Sequence, residues 1–274
     1  MPSCKHEKFL WLEGLGGNGK SVLLKIMAAY VGEENTNYAQ LERLDRSAVR
    51  AELEGKKLNI SGEMTANTTL SDGYLKQLTS GEPIEADRKY KASVTFIPTV
   101  KLVASTNKLP RLLDTSDGFG RRAVILSFTR QFDEASKDID LADSIIANEL
   151  EGVLAWGVEG LRKLEQQRGF TIPPSSKVIV KTYMVESDAV ALFNHEALVP
   201  STTGTPVKEL FEAFCNWCEK SKFQACNIAQ FGTRLRRVGV DKRESNGVTY
   251  RLARLKASGY RQVSVDKVVE YDEN

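Results

Sequence analysis

Gly14-Leu15-Gly16-Gly17-Asn18-Gly19-Lys20-Ser21 is the stretch that most restricts what this chain can become. Ahead of it runs Phe9-Leu10-Trp11-Leu12, an apolar segment that reads as a buried strand. Behind it Val22, Leu23, Ile26, Met27 and Tyr30 recur at helical spacing. Strand, glycine-rich loop and helix, in that order, is the setting in which the pattern GxxxxGKS has a physical purpose. Glycines let backbone N–H groups turn inward around phosphate oxygens, and the helix that follows offers its positive N-terminus to the same charge. The pattern predicts a nucleoside triphosphate site formed by residues 14–22. Lys20 is expected to reach the β- and γ-phosphates, and the Ser21 hydroxyl to hold Mg2+.

Strand-like and helix-like segments alternate from residue 9 to about residue 130. Lys57-Leu58-Asn59-Ile60-Ser61-Gly62-Glu63 reads as a short strand ending on an acid, residues 70–78 as a short helix begun by Ser71-Asp72, and residues 100–105 and 123–128 as further strands. This is an α/β pattern with a mostly parallel sheet. Apolar residues at helix spacing from 139 to 167 predict a helical block closed by Gly169 and Pro173-Pro174, and residues 178–194 one more helix. Pro200-Ser201-Thr202-Thr203-Gly204-Thr205-Pro206 has the composition of a linker. Beyond it, helices at 207–220 and 228–238 precede a hairpin turning at Ser245-Asn246-Gly247, a winged-helix pattern. The expected organisation is a P-loop core over 1–135, a helical segment over 136–199, a basic winged-helix domain over 200–262 and a charged tail over 263–274.

Net charge is +2, but its distribution is uneven. Residues 205–262 carry 12 Lys or Arg against 5 Asp or Glu, a net of +7, so the rest of the chain carries −5. An acidic body with a basic C-terminal module is the footprint of nucleic-acid contact. The 4 cysteines of a 274-residue chain make no disulfide framework, so a reducing compartment, the cytoplasm of a host cell, is expected. There is neither an apolar run of membrane-spanning length nor a secretory signal. Cys215, Cys218 and Cys226 have no fourth ligand nearby and fall with Leu210, Phe211 and Phe214, so buried free thiols are expected rather than zinc. His6 and His195, the 2 histidines, belong to no nucleophilic constellation.

The loop alone does not say what hydrolysis would serve. Glu63, 43 residues after Lys20, is placed to hold Mg2+ through water or to activate the attacking water. Asn107 follows an apolar strand and can orient that water. Gly118-Phe119-Gly120-Arg121-Arg122 precedes the last strand. A guanidinium beside a γ-phosphate stabilises charge as the bond breaks, and in ring ATPases it comes from the neighbouring subunit. Arg121 is expected as that finger and Arg122 as its support.

Together these blocks resemble the superfamily 3 helicases, and more closely the C-terminal helicase region of phage and plasmid primase–helicases related to the poxvirus-type replicative helicase. The matching stretches are Gly17-Asn18-Gly19-Lys20-Ser21, the run from Leu75-Lys76-Gln77-Leu78 through Gly81-Glu82-Pro83-Ile84, Phe96-Ile97-Pro98-Thr99-Val100-Lys101-Leu102 with Thr106-Asn107, Arg121-Arg122, Glu149-Leu150-Glu151-Gly152-Val153-Leu154-Ala155-Trp156 and Glu186-Ser187-Asp188-Ala189-Val190. They fall in order over residues 9 to about 260. The resemblance implies an AAA+-like P-loop ATPase that uses ATP and Mg2+ to translocate on DNA, 3′ to 5′, as a hexameric ring. The second acidic or polar group that the family places near Glu63 has no evident counterpart. Long members carry a primase and a helical collar upstream, so this chain is expected to be a separate small helicase or a fragment, with a primase as a possible partner.

The resemblance places a channel hairpin ahead of the strand that ends at Asn107. Here Arg88, Lys89 and Lys91 sit between two strand-like runs and could grip successive phosphates of single-stranded DNA. In the basic module Arg234 and Arg237 on the second helix, and Lys242 and Arg243 at the start of the wing, are the expected duplex contacts, with Arg251 and Arg254 on the return strand. Two other functions fit parts of the pattern: a DNA-binding replication initiator that uses ATP as an assembly switch without unwinding, and an ATPase acting on protein partners.

Overall fold

Parallel strands buried on both faces read as continuous apolar runs, and Phe9-Leu10-Trp11-Leu12 takes that place in the computed structural model. The structure describes residues 3–64, 69–70, 73–88, 90, 92–112 and 117–256. In chain order the elements are β1 (Phe9–Glu13), α1 (Lys20–Val31), β2 (Thr36–Asn37), α2 (Ser47–Ala51), β3 (Leu58–Ser61), β4 (Thr69–Leu70), α3 (Gly73–Ser80), β5 (Ile84–Ala86), β6 (Val94–Phe96), β7 (Lys101–Thr106), β8 (Arg111–Leu112), α4 (Asp117–Gly120), β9 (Ala123–Ser127), α5 (Leu141–Asn148), α6 (Leu150–Gln167) and α7 (Pro174–Ser187). They continue as α8 (Ala189–Ala197), β10 (Leu198–Pro206), α9 (Val207–Ser221), α10 (Ile228–Arg237), β11 (Lys242–Ser245) and β12 (Val248–Leu255). The chain divides into two compact units at Lys181/Thr182.

The first unit is built on a five-stranded sheet of order β2-β3-β7-β1-β9, and every neighbouring pair is parallel. All five strands therefore end at one edge, where an α/β sheet presents its loops to a ligand. Leu12, Leu58, Ile60 and Val103 pack with Ala28, Leu23, Leu24 and Met27 of α1 on one face. Trp11 points the other way, against Phe9 and Phe119. The open edge of β9 is covered by a side chain, since the Ile125 N–H donates to Ser176 Oγ at 2.9 Å.

The polar residues of β3 have a structural reason. Asn59 Oδ1 accepts from the Ala39 N–H at 3.0 Å and Asn59 Nδ2 donates to the Ala39 carbonyl at 2.9 Å, while Ser61 Oγ accepts from the Leu41 N–H at 3.1 Å. Their side chains carry on the backbone pairing that the two-residue β2 cannot extend.

The second unit packs α8, α9 and α10 with a three-stranded antiparallel sheet of order β10-β12-β11. Phe193, Phe214 and Phe231 are its fully buried centre, with Phe214 stacked on Phe231 at 4.7 Å between ring centroids. Several expectations are corrected here. The segment expected as a linker, residues 200–206, lies within β10, so the sheet has three strands and not a two-stranded wing. The helix expected over 178–194 is broken at Asp188, whose extended backbone ends α7 and whose carboxylate caps α8. The single block over 139–167 is broken at Glu149 into α5 and α6. The first turn of the helix expected from residue 70 falls partly on Ser71 and Asp72, outside the described residues; α3 begins at Gly73. No helix among the described residues is long and apolar enough to cross a membrane.

Candidate active site

The glycine-rich loop leaves β1 at the strand-end edge and enters α1. Hydrogen bonds within the loop and to the ends of β7 and β9 hold it. The Gly14 N–H donates to the Thr106 carbonyl at 3.1 Å, Asn18 Nδ2 donates to the Phe128 carbonyl at 2.9 Å and also to the Leu15 carbonyl, and the Phe132 N–H donates to the Gly17 carbonyl at 2.8 Å. Gly14 has φ of 151°, and a Cβ there would meet the Phe128 oxygen at 2.4 Å. No larger residue fits between the loop and the end of β9.

Gly19 precedes α1 in the left-handed conformation, and no side chain caps the helix; its first turn contains no acid. The first N–H groups of a helix have no partner within it, and here no side-chain oxygen supplies one. The orphan donors and the helix dipole together make a place for an anion.

Lys20 is 6 % exposed and turns back over the loop. Its Nζ donates to the Gly14 carbonyl, to the Leu15 carbonyl at 3.3 Å, to Asn18 Oδ1 at 3.0 Å and to Asn107 Oδ1 at 3.5 Å. Burial lowers its pKa below the usual lysine value, and the Glu63 and Glu13 carboxylates pull in the opposite direction. Asn107 follows β7 and links two charges. Its Oδ1 faces the Lys20 ammonium while its Nδ2 donates to Glu63 Oε1. Residues from α1 and from beyond β3 and β7 thus form one hydrogen-bonded chain, Lys20–Asn107–Glu63, at the strand ends.

Ser21 and Glu63 are both exposed at this edge. Among the described residues no three His, Cys, Asp or Glu side chains gather as a metal cluster. Two lone oxygen donors suit Mg2+, which keeps several waters and takes its other ligands from phosphate. Glu13 was missed in the sequence. At the end of β1 its carboxylate accepts from Ser127 Oγ at 2.7 Å and acts on Lys20. The available signal was a lone acid closing the apolar run directly before Gly14.

Arg121 and Arg122 lie elsewhere. Phe9 N–H donates to the Arg122 carbonyl at 3.1 Å, which places the pair at the start of β1 and β9. Five strand residues, about 17 Å, separate them from the loop edge. Arg122 is 6 % exposed, bonded to the Gly118 carbonyl at 3.0 Å and paired with Glu7 at 2.6 Å. The Arg121 side chain is 65 % exposed and meets Glu7 at 3.3 Å. Within one chain the structure does not bring either arginine to Lys20.

The expected hairpin is present as β5 and β6, paired from Ile84↔Phe96 to Ala86↔Val94. Arg88 at its tip is paired with Glu54, and Tyr90 is 93 % exposed with φ of 63°. Asp87 is held below the usual carboxylate range by hydrogen bonds from Ser93 and Ser47. Lys89 and Lys91 lie outside the described residues.

In the second unit Asn227 caps α10, and Phe231 and Leu235 face the core. Arg237 is exposed as expected, but Arg234 is turned inward, its side chain 15 % exposed and 3.9 Å from Asp188. Arg236, not singled out in the sequence, is exposed in its stead. The interval of three residues from Phe231 put Arg234 on the buried side, a signal that helix periodicity could have given. Lys242 is exposed beside Glu244 at 2.8 Å, and the Arg243 guanidinium lies 5.1 Å from the Tyr250 ring centre. Arg251 is buried and bonds the Gly232 and Val240 carbonyls, so it joins α10 to β12 and is no surface contact; Arg254 is exposed. Burial pushes the Cys218 thiol up to about 12, which keeps it a protonated core group.

A family described as being of unknown function, DUF5906, matches residues 12–122. A protein of Acanthamoeba polyphaga mimivirus named "Putative helicase" is 30 % identical over 135 residues, which cover 46 % of this chain and 14 % of that protein. Among solved structures, the C-terminal region of NrS-1 aligns with a TM-score of 0.48 at 14 % identity over 90 % of this chain and 66 % of that one. A JCV helicase aligns with a TM-score of 0.33 at 16 % identity over 86 % of this chain and 58 % of that one. Over 46 % of its length, then, this chain is similar in sequence to part of a much longer viral protein named as a putative helicase.

Proposed function

We propose that the chain is an ATP-driven replicative DNA helicase motor, of the kind used by phages, plasmids and other mobile elements. The observation that carries this is the Lys20–Asn107–Glu63 chain beside an uncapped helix N-terminus. In this proposal residues 14–22 form a P-loop around the triphosphate. Lys20 gives up its loop carbonyls for the β- and γ-phosphates, a better partner for an ammonium than neutral oxygens. Ser21 directly, and Glu63 through a water, would hold Mg2+, which would supply positive charge against the phosphates. Asn107, freed from Lys20, keeps its grip on Glu63 and orients the attacking water. The Glu63 carboxylate takes the water's proton as its oxygen bonds to the γ-phosphorus and the bond to ADP breaks.

The placement of Arg121 favours a ring. An exposed guanidinium at the opposite end of the sheet cannot serve its own loop, but can serve that of a second copy packed head to tail. We assign Arg121 as the finger, Arg122 with Glu7 as its support, and a hexamer moving 3′ to 5′ as the assembly. The segment between β5 and β6, whose sequence contains Arg88, Lys89, Tyr90 and Lys91, contacts single-stranded DNA by charge and stacking. The second unit is taken as a winged-helix module that meets duplex through Arg236, Arg237, Lys242 and Arg243.

An initiator that binds ATP only as a switch would need no DNA-stimulated turnover. The test is ATP hydrolysis with and without single-stranded DNA, together with strand displacement on a tailed duplex. DNA-stimulated hydrolysis and unwinding, both lost in Lys20→Ala, are expected. Hydrolysis indifferent to DNA, or near wild type in Lys20→Ala, would overturn the reading.

A further inference from the structure

The start of β9 faces a cavity of about 320 Å³ lined by Lys8, Arg121, Lys177 and Lys181, with Ile172 and Val180 beside them. No acidic side chain is among its described lining residues. Lys177 and Lys181 stand four apart on α7, which puts both ammonium groups on one side of the helix. Like charges at that spacing repel, so the helix gains nothing from the pair by itself. Lys8 is anchored among them by donating to the Arg121 carbonyl. Its pKa is lowered by burial first, then by the Arg121 and Arg122 guanidinium groups. The nearby carboxylate of Glu7 is committed to Arg122 at 2.6 Å and Arg121 at 3.3 Å.

We propose that Lys8, Arg121, Lys177 and Lys181 form a second anion site, distinct from the glycine-rich loop, that takes a ligand carrying several linked phosphates. Four cations on one concave surface create a positive potential that a polyphosphate relieves, and the cavity walls focus the field. The volume admits more than a single phosphate group. The phosphates come from a nucleotide or from a nucleic-acid backbone, and both present the same chemistry to the four cations. With Lys8, Lys177 and Lys181 around it, Arg121 is one of four cations that face such a ligand.

Lys20→Ala protein, full length, removes the loop as a competing site, so the outcome is separable from the function proposed for the loop. Inorganic tripolyphosphate is titrated into it by calorimetry at low salt. Saturable binding, one per chain, is expected, and adding Lys177→Gln and Lys181→Gln should weaken it by about tenfold or more. Both lysines are exposed, thermal melting checks that the double variant stays folded, and Lys177→Gln alone serves as a milder variant that should weaken binding in the same direction. Competition then identifies the source. Displacement by a single-stranded oligonucleotide assigns the site to nucleic-acid backbone, and displacement by ATP alone assigns it to nucleotide. Absence of tripolyphosphate binding, equal affinity in the double variant, or failure of both competitors would overturn the proposal.

Discussion

Asn107 is the residue on which the site turns, because its amide reads opposite charges at its two ends. An aspartate there would repel Glu63, and a leucine would leave Lys20 and Glu63 unconnected. That Lys20, Glu63 and Asn107 meet was legible in the sequence, since a glycine-rich loop after a strand and polar residues after two others imply one edge of a parallel sheet. Glu13 was not, because a lone acid closing an apolar strand carries no message until Ser127 and Lys20 are seen around it. The arginines divide likewise. Their identities were readable, but that Arg122 is buried on Glu7 while Arg121 is exposed depends on how the segment before Lys8 packs. Glu63→Gln keeps the hydrogen-bond acceptor for Asn107 and removes the base. It should bind ATP normally and turn over about a hundredfold or more slowly, measured as single-turnover hydrolysis. Hydrolysis at the wild-type rate would mean that another acid does the work.

Elements fixed by local chemistry were the easiest to foresee. Asn246-Gly247, with φ of 51° and 73°, makes the tight turn between β11 and β12 that its sequence announces. β10 was hidden because Pro, Thr and Gly make a poor strand on their own terms. It exists through pairing with β12, a partner some fifty residues away, with an irregularity between Pro200 and Thr205. Gly204 is required there, as a Cβ would meet the Arg251 oxygen at 2.7 Å. Asp188 was also concealed, inside a run of residues that suit a helix throughout. Its carboxylate accepts from the Val190 and Ala191 N–H groups at 2.9 and 3.3 Å and faces Arg234. Asp188→Ala should therefore cost about 1–2 kcal/mol in urea unfolding, from the lost cap and the stranded guanidinium. Asp188→Asn, which still caps, should cost less; equal losses would show that the charge on Arg234 matters more than the cap.

At the scale of the whole molecule, the composition marked a basic C-terminal region, and the structure gives the described residues from Thr182 onward their own aromatic core. The boundary itself was misplaced in the sequence, because a segment of linker composition drew it to residue 200. A chain ending at Ser187 should keep ATP hydrolysis while losing duplex affinity and much of its salt dependence, measured by fluorescence anisotropy across ionic strength. An unchanged affinity and salt slope would assign the second unit to another partner. The central claim is that one chain carries the two halves of a hydrolytic site at opposite ends of one sheet, so that a site is completed only between copies. Mixing Arg121→Ala with Lys20→Ala chains tests it most directly, because some interfaces in the mixture join an intact arginine to an intact loop. Each variant alone should be inactive and the mixture should recover hydrolysis. Wild-type hydrolysis by Arg121→Ala alone would contradict the account. So would a mixture that exchanges subunits yet stays inactive, while wild-type chains diluted with either variant lose activity only in proportion.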